Sequence, residues 1–395
     1  MRHPAFFRIC CALIAFAWGF PAHAGYGDTV SGYSDLPSWN ERCIIVLTNV
    51  VRMDPQGFKA AYLNSYNILL ASNYPAVPPL YWDLSLNRCS RFYAQDISGC
   101  GLQQNHVTCA GASFQSRFYS YYKDSPTGGE NAATGKATAL ETIIQWLMDG
   151  TPPAADNPND GGGADGHREN IMDGRYHEMA AGYAYNSGVQ WYHFWVEDFG
   201  GARSTYAPHH IPAGAHFFME TGKTTFLANY YDSLGRTPQK TTVVIDGSSK
   251  AMALWLGSAG KGTYRYIDSK AASCRQYYFI FTDANGTVWK LPESGSYVTS
   301  GEGSCAQNYT GSQATCIRCS VGSARDGRRD FIAAMHDGVR VSGLAADQST
   351  CIVDARGRIA AYRAASGSDA VRLPAGVYIA EIHPNATAAW LFVVR

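Results

Sequence analysis

The sequence predicts an α+β protein, with helices and strands sharing the first half of the chain and strands alone building the second. Three observations predict it. Two capping boxes before residue 150 each open a run of apolar residues at helical spacing; aromatic-rich stretches at 179–185 and 191–196 read as paired strands; and beyond about residue 202 short apolar runs alternate with turn signals and no amphipathic helix is evident. At 395 residues the chain can bury substantial cores, and a prior of about 150 residues per domain suggests two or three domains.

Taken in order, the chain begins with Arg2 and Arg8, an apolar run over 9–20 and then Ala22-His23-Ala24, which match the three parts of a secretory signal peptide at 1–24. Cys10 and Cys11 stand at the start of the apolar run, whereas a lipid-acceptor cysteine would follow it, so an ordinary cleaved leader is expected. No later stretch offers the roughly 20 apolar residues of a transmembrane helix, and a soluble mature protein, secreted or at the cell surface, is the expectation.

Ser38-Trp39-Asn40-Glu41 is a capping box, followed at helical spacing by Cys43, Leu47, Val50 and Val51, and Pro55 ends that helix. A second helix is predicted over 85–98 from the common face of Leu86, Cys89, Tyr93, Ala94 and Ile97. Thr138-Ala139-Leu140-Glu141 opens a third, with Ile143, Ile144 and Leu147 on its apolar face and Trp146 and Asp149 at its end. A loop rich in Asp, Asn, Pro and Gly runs from 149 to 166 ahead of the two aromatic strands. In the second half, 241–245 precedes Asp246-Gly247 and 277–281 precedes Asn285-Gly286; strand-like runs recur at 351–354, 376–379 and 390–394. These regions read as β-sandwich modules.

Lys plus Arg equals Asp plus Glu, and no basic stripe appears, which excludes an electrostatic case for nucleic acid or anionic lipid. Carbohydrate, protein and small apolar ligands remain as extracellular partners. Past the leader stand Cys43, Cys89, Cys100, Cys109, Cys274, Cys305, Cys316, Cys319 and Cys351, expected as disulfide partners in an oxidising compartment. Their number is odd, so at least one thiol is free or pairs outside the chain.

Three short motifs carry the candidate chemistry: Asn105-His106 between two cysteines, Gly129-Glu130-Asn131 ahead of a capped helix, and Gly166-His167-Arg168-Glu169-Asn170-Ile171-Met172 after the Gly-rich loop. A helix bearing Trp146 lies between the second and third motifs, Phe-Trp-Val-Glu-Asp-Phe-Gly at 194–200 closes the set, and Leu80-Tyr81-Trp82-Asp83 precedes the second helix. Two imidazoles with one or two carboxylates can form a metal site with a position open for water. The same residues can equally be hydrogen-bonded groups that hold loops in place.

In its order and flanks this set resembles the CAP superfamily, which groups cysteine-rich secretory proteins, antigen 5 and plant pathogenesis-related proteins, and it is most like the bacterial members with a Gly-His-Arg-x-Asn-Ile/Met motif. The resemblance covers roughly 36–201. It implies an α/β/α sandwich with a central cleft, in which two histidines and one or two acids can bind a divalent metal such as zinc. His106, Glu130 and His167 match that set. Asp149 takes the place of the second acid as a shorter carboxylate, where many bacterial members have none. On this reading His106 and His167 are the metal-ligand candidates and Glu130 the candidate general base.

Other short motifs hint at different chemistry. Cys100, His106 and Cys109 could be zinc ligands, but an exported context favours a Cys100–Cys109 bridge that pins the loop carrying His106. Asp156-Asn157-Pro158-Asn159-Asp160-Gly161 hints at calcium, yet Pro158 occupies a ligand position and His167 stands where an EF-hand has Glu. His177-Glu178 lacks the second histidine of a zincin, with Ala181 in its place; no Gly-x-Ser-x-Gly elbow occurs; and Cys316-Ile317-Arg318-Cys319 reads as a structural loop.

Downstream, 230–295 resembles Ig-like modules of exported bacterial proteins. The stretch with Asp354-Ala355-Arg356-Gly357-Arg358 and Leu373-Pro374-Ala375-Gly376 is similar to small C-terminal β-sandwich domains of surface-sorted bacterial proteins, and departs from them in closing at Arg395 without a basic cluster. The expected organisation is a CAP-like domain at 36–204, an Ig-like module at 205–300 and a small β-sandwich at 328–395. Three functions follow as expectations: a binding or interaction protein, a metal-dependent hydrolase or peptidase, or a surface adhesin acting through the β modules.

Overall fold

The computed structural model describes residues 37–299 apart from 102–104, 124, 159–162, 202–208, 271–273 and 293–294, and beyond 299 only the backbones of strands. The leader at 1–24, Cys305, and the Cys316–Cys319 spacing lie outside the described residues. The chain divides into two compact units, one spanning Ala24–Thr315 and the other taking in Cys316–Arg395.

Helix α1 (Trp39–Met53) starts where the capping box predicts: the Ser38 hydroxyl accepts from the Glu41 amide at 3.3 Å, and the Glu41 carboxylate accepts from the Ser38 amide at 2.7 Å. It stops at Asp54, whose carboxylate then caps α2 (Pro55–Tyr62) by accepting from the Gly57 amide at 2.9 Å, with Pro55 at the first helical position. There follow β1 (Tyr81–Trp82), α3 (Leu84–Cys100), α4 (Phe114–Tyr121), β2 (Gly128–Thr134), α5 (Ala139–Met148), α6 (Gly166–Met172), β3 (Glu178–Asn186) and β4 (Tyr192–Gly200). The four strands make one sheet in the order β1-β3-β4-β2, with β1 parallel to β3 and the other pairs antiparallel.

Side chains of successive strand residues point to opposite faces, and this alternation sorts the sheet into two packing surfaces. Ala132, Phe194 and Val196 meet Tyr93, Ala94 and Ile97 of α3, while Ala133, Trp195 and Phe199 join the core of α1 and α5. The result is the α/β/α sandwich that the resemblance implies. Gly182 lets α3 lie directly on β3, since a Cβ there would come within 2.2 Å of the Ser90 backbone.

The second half of this unit is a sandwich of two antiparallel sheets. Strands β5 (Gly214–Phe217), β6 (Thr224–Tyr231), β7 (Lys240–Ile245), β8 (Ser248–Ala251), β9 (Ala253–Ser258), β10 (Lys261–Asp268), β11 (Gln276–Thr282), β12 (Val288–Leu291), β13 (Ser296–Val298) and β14 (Tyr309–Thr310) pair as β5-β6-β10-β9 and as β14-β13-β11-β7-β8, with β12 beside β11. Phe226, Ala228 and Tyr230 of β6 face Val243, Ile245, Tyr277, Phe279 and Phe281 in the space between the sheets.

The other face of β6 explains why α1 is buried from Glu41 to Met53, although its sequence shows an apolar stripe on one side only. Leu227, Ala213, Ala215 and Phe217 belong to the same core as Ile44, Ile45 and Val46, and the Asn229 amide donates to the Val46 carbonyl at 3.3 Å. Trp39 Nε1 donates to the His216 carbonyl at 2.7 Å, and Asp54 accepts from the Gly257 amide at 2.7 Å. Helix α1 is therefore a shared layer, with the first sheet on one side and the sandwich on the other.

In the second unit the strands β15 (Ile332–Met335), β16 (Gly338–Val341), β17 (Ser349–Asp354), β18 (Ile359–Ala364), β19 (Asp369–Arg372), β20 (Gly376–His383) and β21 (Ala389–Val394) form two antiparallel sheets, β15-β16-β19 and β18-β17-β20-β21.

Candidate functional site

His106 stands in the left-handed region at φ 62, on a loop tied at both ends. Cys100, the last residue of α3, is bridged to Cys109 with their Cα atoms 6.3 Å apart, and the Cys109 amide donates to Asp96 at 2.6 Å. Past His106 the chain pairs Val107 with Ser113, and Ser113 caps α4 through the Ser116 amide. The bridge favoured on the sequence is present, so these two sulfurs are not thiolate ligands.

Glu130 of β2 points to the α3 side of the sheet and uses both oxygens. One lies 2.9 Å from His106 Nδ1, and the other accepts from the Arg117 guanidinium of α4. The guanidinium also lies 3.9 Å from the centre of the Tyr93 ring. Directly across the strand pair from Glu130 is Asp198, fully buried, with the Cys89 thiol of α3 against it. Burial, and then the Glu130 carboxylate, push the Asp198 carboxyl well above the usual range, while burial and Asp198 push the Cys89 thiol up.

The second pair is built from backbone. Asp149 ends α5 in the left-handed region at φ 52, which turns its carboxylate toward the start of α6. There it accepts from the His167 amide at 2.8 Å and the Arg168 amide at 3.3 Å, and its other oxygen meets His167 Nδ1. Asp149 so does the capping work that Asp165, the residue at the cap position, leaves undone. Asp165 instead meets Arg168, whose guanidinium also pairs with Asp156 at 3.0 Å and donates to the carbonyls of Ala154 and Ala155. Asp156 further accepts from the amides of Leu69 and Leu70, so the first acid of the calcium-like run is spent on holding this loop.

Asn131 and Asn170 tie the pairs together. The Asn131 side-chain amide donates to the His167 carbonyl at 3.1 Å and to Glu197 at 3.3 Å; Asn170 donates to the Asn131 side chain at 2.9 Å and to the Glu130 carbonyl at 3.3 Å. Glu197 is buried on the α1 side against Thr48, and burial raises its pKa to about 8 despite hydrogen bonds from Thr48 and Asn131 and the charge of Arg52. Arg52 is itself pulled down to about 9 by burial and donates to the carbonyls of Pro78, Ile171, Asp173 and Tyr176.

All four residues singled out by the sequence thus occur in His–carboxylate pairs. In each pair a solvent-reachable imidazole backs onto a buried acid: side-chain exposure is 44% for His106 against 1% for Glu130, and 29% for His167 against 9% for Asp149. The Nδ1 atoms are committed, so Nε2 is the ring nitrogen each histidine can offer to a ligand. For a resident metal the donor set falls short. Among the described residues no group of three or more His, Cys, Asp or Glu could hold an ion, because both carboxylates are already engaged and two imidazoles are fewer than the three protein ligands of an open catalytic zinc site. His177 lies immediately before β3 and not on the helix that a zincin histidine would require.

Arg117, Asp198, Asn131, Asn170 and Glu197 carry roles that sequence reasoning missed. Asn131 and Asn170 stood inside recognised motifs, and the alternation of β4 offered a signal for Glu197 and Asp198, since acids within a predicted strand need partners. Nothing in the sequence ties Arg117 to Glu130.

An α/β/α sandwich with two His–carboxylate pairs linked through Asn131 and Asn170 is the class this geometry defines. Residues 47–199 match the family model described as "CAP: Cysteine-rich secretory protein family", and this part of the chain is a CAP domain. Among solved structures, the chain is similar to an extracellular protein containing a SCP domain from Bacillus anthracis, at 18% identity and a TM-score of 0.27 over 40% of this chain and 39% of that one. It is also similar to an outer surface protein from Borrelia burgdorferi, at 16% identity and a TM-score of 0.25 over 32% of this chain and 80% of that one. No curated protein matches the chain. Among the described residues no helix is long and apolar enough to cross a membrane.

Proposed function

We propose that the protein acts outside the cytoplasm as a ligand-binding protein, and that its CAP cleft engages the ligand through the Nε2 atoms of His106 and His167. The observation that carries this reading is the shared design of the two pairs, each a solvent-reachable imidazole oriented by a carboxylate less exposed than itself. A carboxylate behind an imidazole fixes its tautomer and aims its outer nitrogen, which suits hydrogen bonding to a carbonyl, hydroxyl or carboxylate. The leader-like start, the Cys100–Cys109 bridge and the secretory family support an extracellular or surface location.

A second reading is favoured by one feature, the exposure of His106 above a buried Glu130. The same arrangement equips His106 as a general base, with Glu130 as its orienting acid and not as the base itself, since both Glu130 oxygens are engaged. Purified protein is assayed for divalent metal, and wild type, His106→Ala and His167→Ala are compared on peptide and ester substrates and for binding of the same compounds. Binding without turnover, weakened in both variants, supports the first reading. Turnover lost in His106→Ala supports the second, and stoichiometric metal lost in both variants would overturn the account of the donor set.

A further inference from the structure

Beside the His106 pair, on the same face of the sheet, lies a pocket of about 120 Å³ lined by Phe114, Gln115, Phe118, Tyr119 and Gly128. Its floor is fixed by packing. Gly128 and Glu130 are alternate residues of β2 and so share a face, and Phe118 lies so close over Gly128 that a Cβ there would come within 2.2 Å of its ring. Phe114 packs against Phe118 with its ring tilted by 49° and 5.0 Å between ring centres, and Tyr119 stands edge-on to Phe118 at 5.5 Å with its hydroxyl donating to the Pro126 carbonyl at 2.9 Å.

The pocket adjoins the polar site through two links. The antiparallel bridge of Val107 with Ser113 brings His106 and Phe114 out of it side by side. The Arg117 guanidinium that holds Glu130 lies 5.8 Å from the centre of the Phe114 ring. Exposed Gln115 adds a side-chain amide at the rim, able to donate and to accept.

Size decides what fits. Whole-ligand pockets run to about 300–1,000 Å³, whereas a dry cavity of roughly 150 Å³ takes one benzene ring. At about 120 Å³ this pocket receives one side group and leaves the remainder of the ligand outside. We propose that it is a side-chain subsite for a peptide, which places one aromatic or branched aliphatic side chain among Phe114, Phe118 and Tyr119 while its backbone amides meet Gln115 and His106. The proposal rests on the ligand-binding reading of the cleft and names its ligand class.

The test uses the full chain and NMR titration with N-acetyl-phenylalaninamide, N-acetyl-leucinamide, N-acetyl-alaninamide and hexanoate. Gln115 and Tyr119 are exposed, so Gln115→Trp, which caps the mouth, and Tyr119→Ala, which removes a wall, should fold, as their unchanged melting temperatures would verify. The phenylalanine and leucine amides are expected to bind about tenfold or more tighter than the alanine amide, and both variants should erase that difference. His106→Ala should weaken all three amides alike. Loss in His106→Ala with no side-chain preference and no effect of Gln115→Trp would overturn the subsite and leave the cleft reading standing. A side-chain preference lost in Gln115→Trp but untouched by His106→Ala would uphold the subsite and sink the cleft reading. Hexanoate binding as tightly as the leucine amide would overturn the peptide assignment.

Discussion

The two faces of the CAP sheet meet the same problem, an acid buried on β4 next to β2, and solve it differently. On the α3 side Asp198 faces a second acid, Glu130, and a cation is supplied: the Arg117 guanidinium bonds Glu130 and rests on Tyr93. On the α1 side Glu197 faces the neutral Asn131, and among the described residues no cation is bonded to it; Thr48 and Asn131 hold it by hydrogen bonds. The difference shows two ways of keeping an acid in a dry place: where two carboxylates meet, a guanidinium serves Glu130 while burial and Glu130 push Asp198 well up, whereas the single acid Glu197 is pushed up by burial. It also separates the two histidines. His106 depends on side-chain charge and a disulfide, His167 on a carboxylate capping backbone amides.

The largest perturbation tests the α1 face. A chain ending at Gly201 removes β5 and β6 from the outer side of α1 and exposes Ile44, Ile45 and Val46 to water. It should lose its cooperative thermal transition and bind hydrophobic dyes, and a sharp melt near that of the full chain would show that the sandwich is a detachable module. Next, Arg117→Met strips the α3 face of its cation and leaves Glu130 beside Asp198 uncompensated. Breaking a buried pair in this way costs about 3–5 kcal/mol in denaturant unfolding, and a loss below about 1 kcal/mol would place the compensation elsewhere.

Two smaller changes should act on one histidine each. Replacing Cys100 and Cys109 by Ser opens a short loop and should cost about 2–3 kcal/mol, with resonances of His106 shifting while those of His167 stay. Asp149→Ala removes the carboxylate that serves the amides of His167 and Arg168, at about 1 kcal/mol by the measure of helix caps, and should move His167 alone. A variant that disturbed both histidines equally would point to Asn131 and Asn170 as a stronger coupling than the two faces imply.

Much of the scaffold was legible before the structure. The capping boxes at Ser38 and Thr138 fix the starts of α1 and α5, because the residues that satisfy free amides lie within one turn of sequence. The aromatic runs that become β3 and β4, and the segments that become β7, β11 and β21, were legible as apolar runs, those of β7 and β11 followed by turn signals. Strand β2 was not, since Gly-Gly-Glu-Asn-Ala-Ala-Thr has no strand pattern and is extended because β4 pairs it along its whole length. The full burial of α1 escaped for a related reason: its second covering surface comes from residues about 180 positions later. The four site residues were visible through ordered motifs, but their division into pairs follows from strand alternation and from the left-handed turn at Asp149, which only the fold displays.

The smallest expected effect is a pH slope, and it isolates the α1 face. The folded pKa of Glu197, about 8, lies above the usual glutamate range, so between those values the folded state keeps a proton that the unfolded chain releases. The stability associated with neutral Glu197 is complete below about pH 4.5 and is lost as the pH rises through the folded value near 8. Glu197→Gln keeps an amide for the contacts with Thr48 and Asn131 and removes the titration. Denaturant midpoints at pH 5 and pH 8.5 should therefore fall further with pH in the wild type than in Glu197→Gln. Equal slopes in the two proteins would mean that Glu197 is already charged when folded, with Arg52 serving the α1 face as Arg117 serves the other.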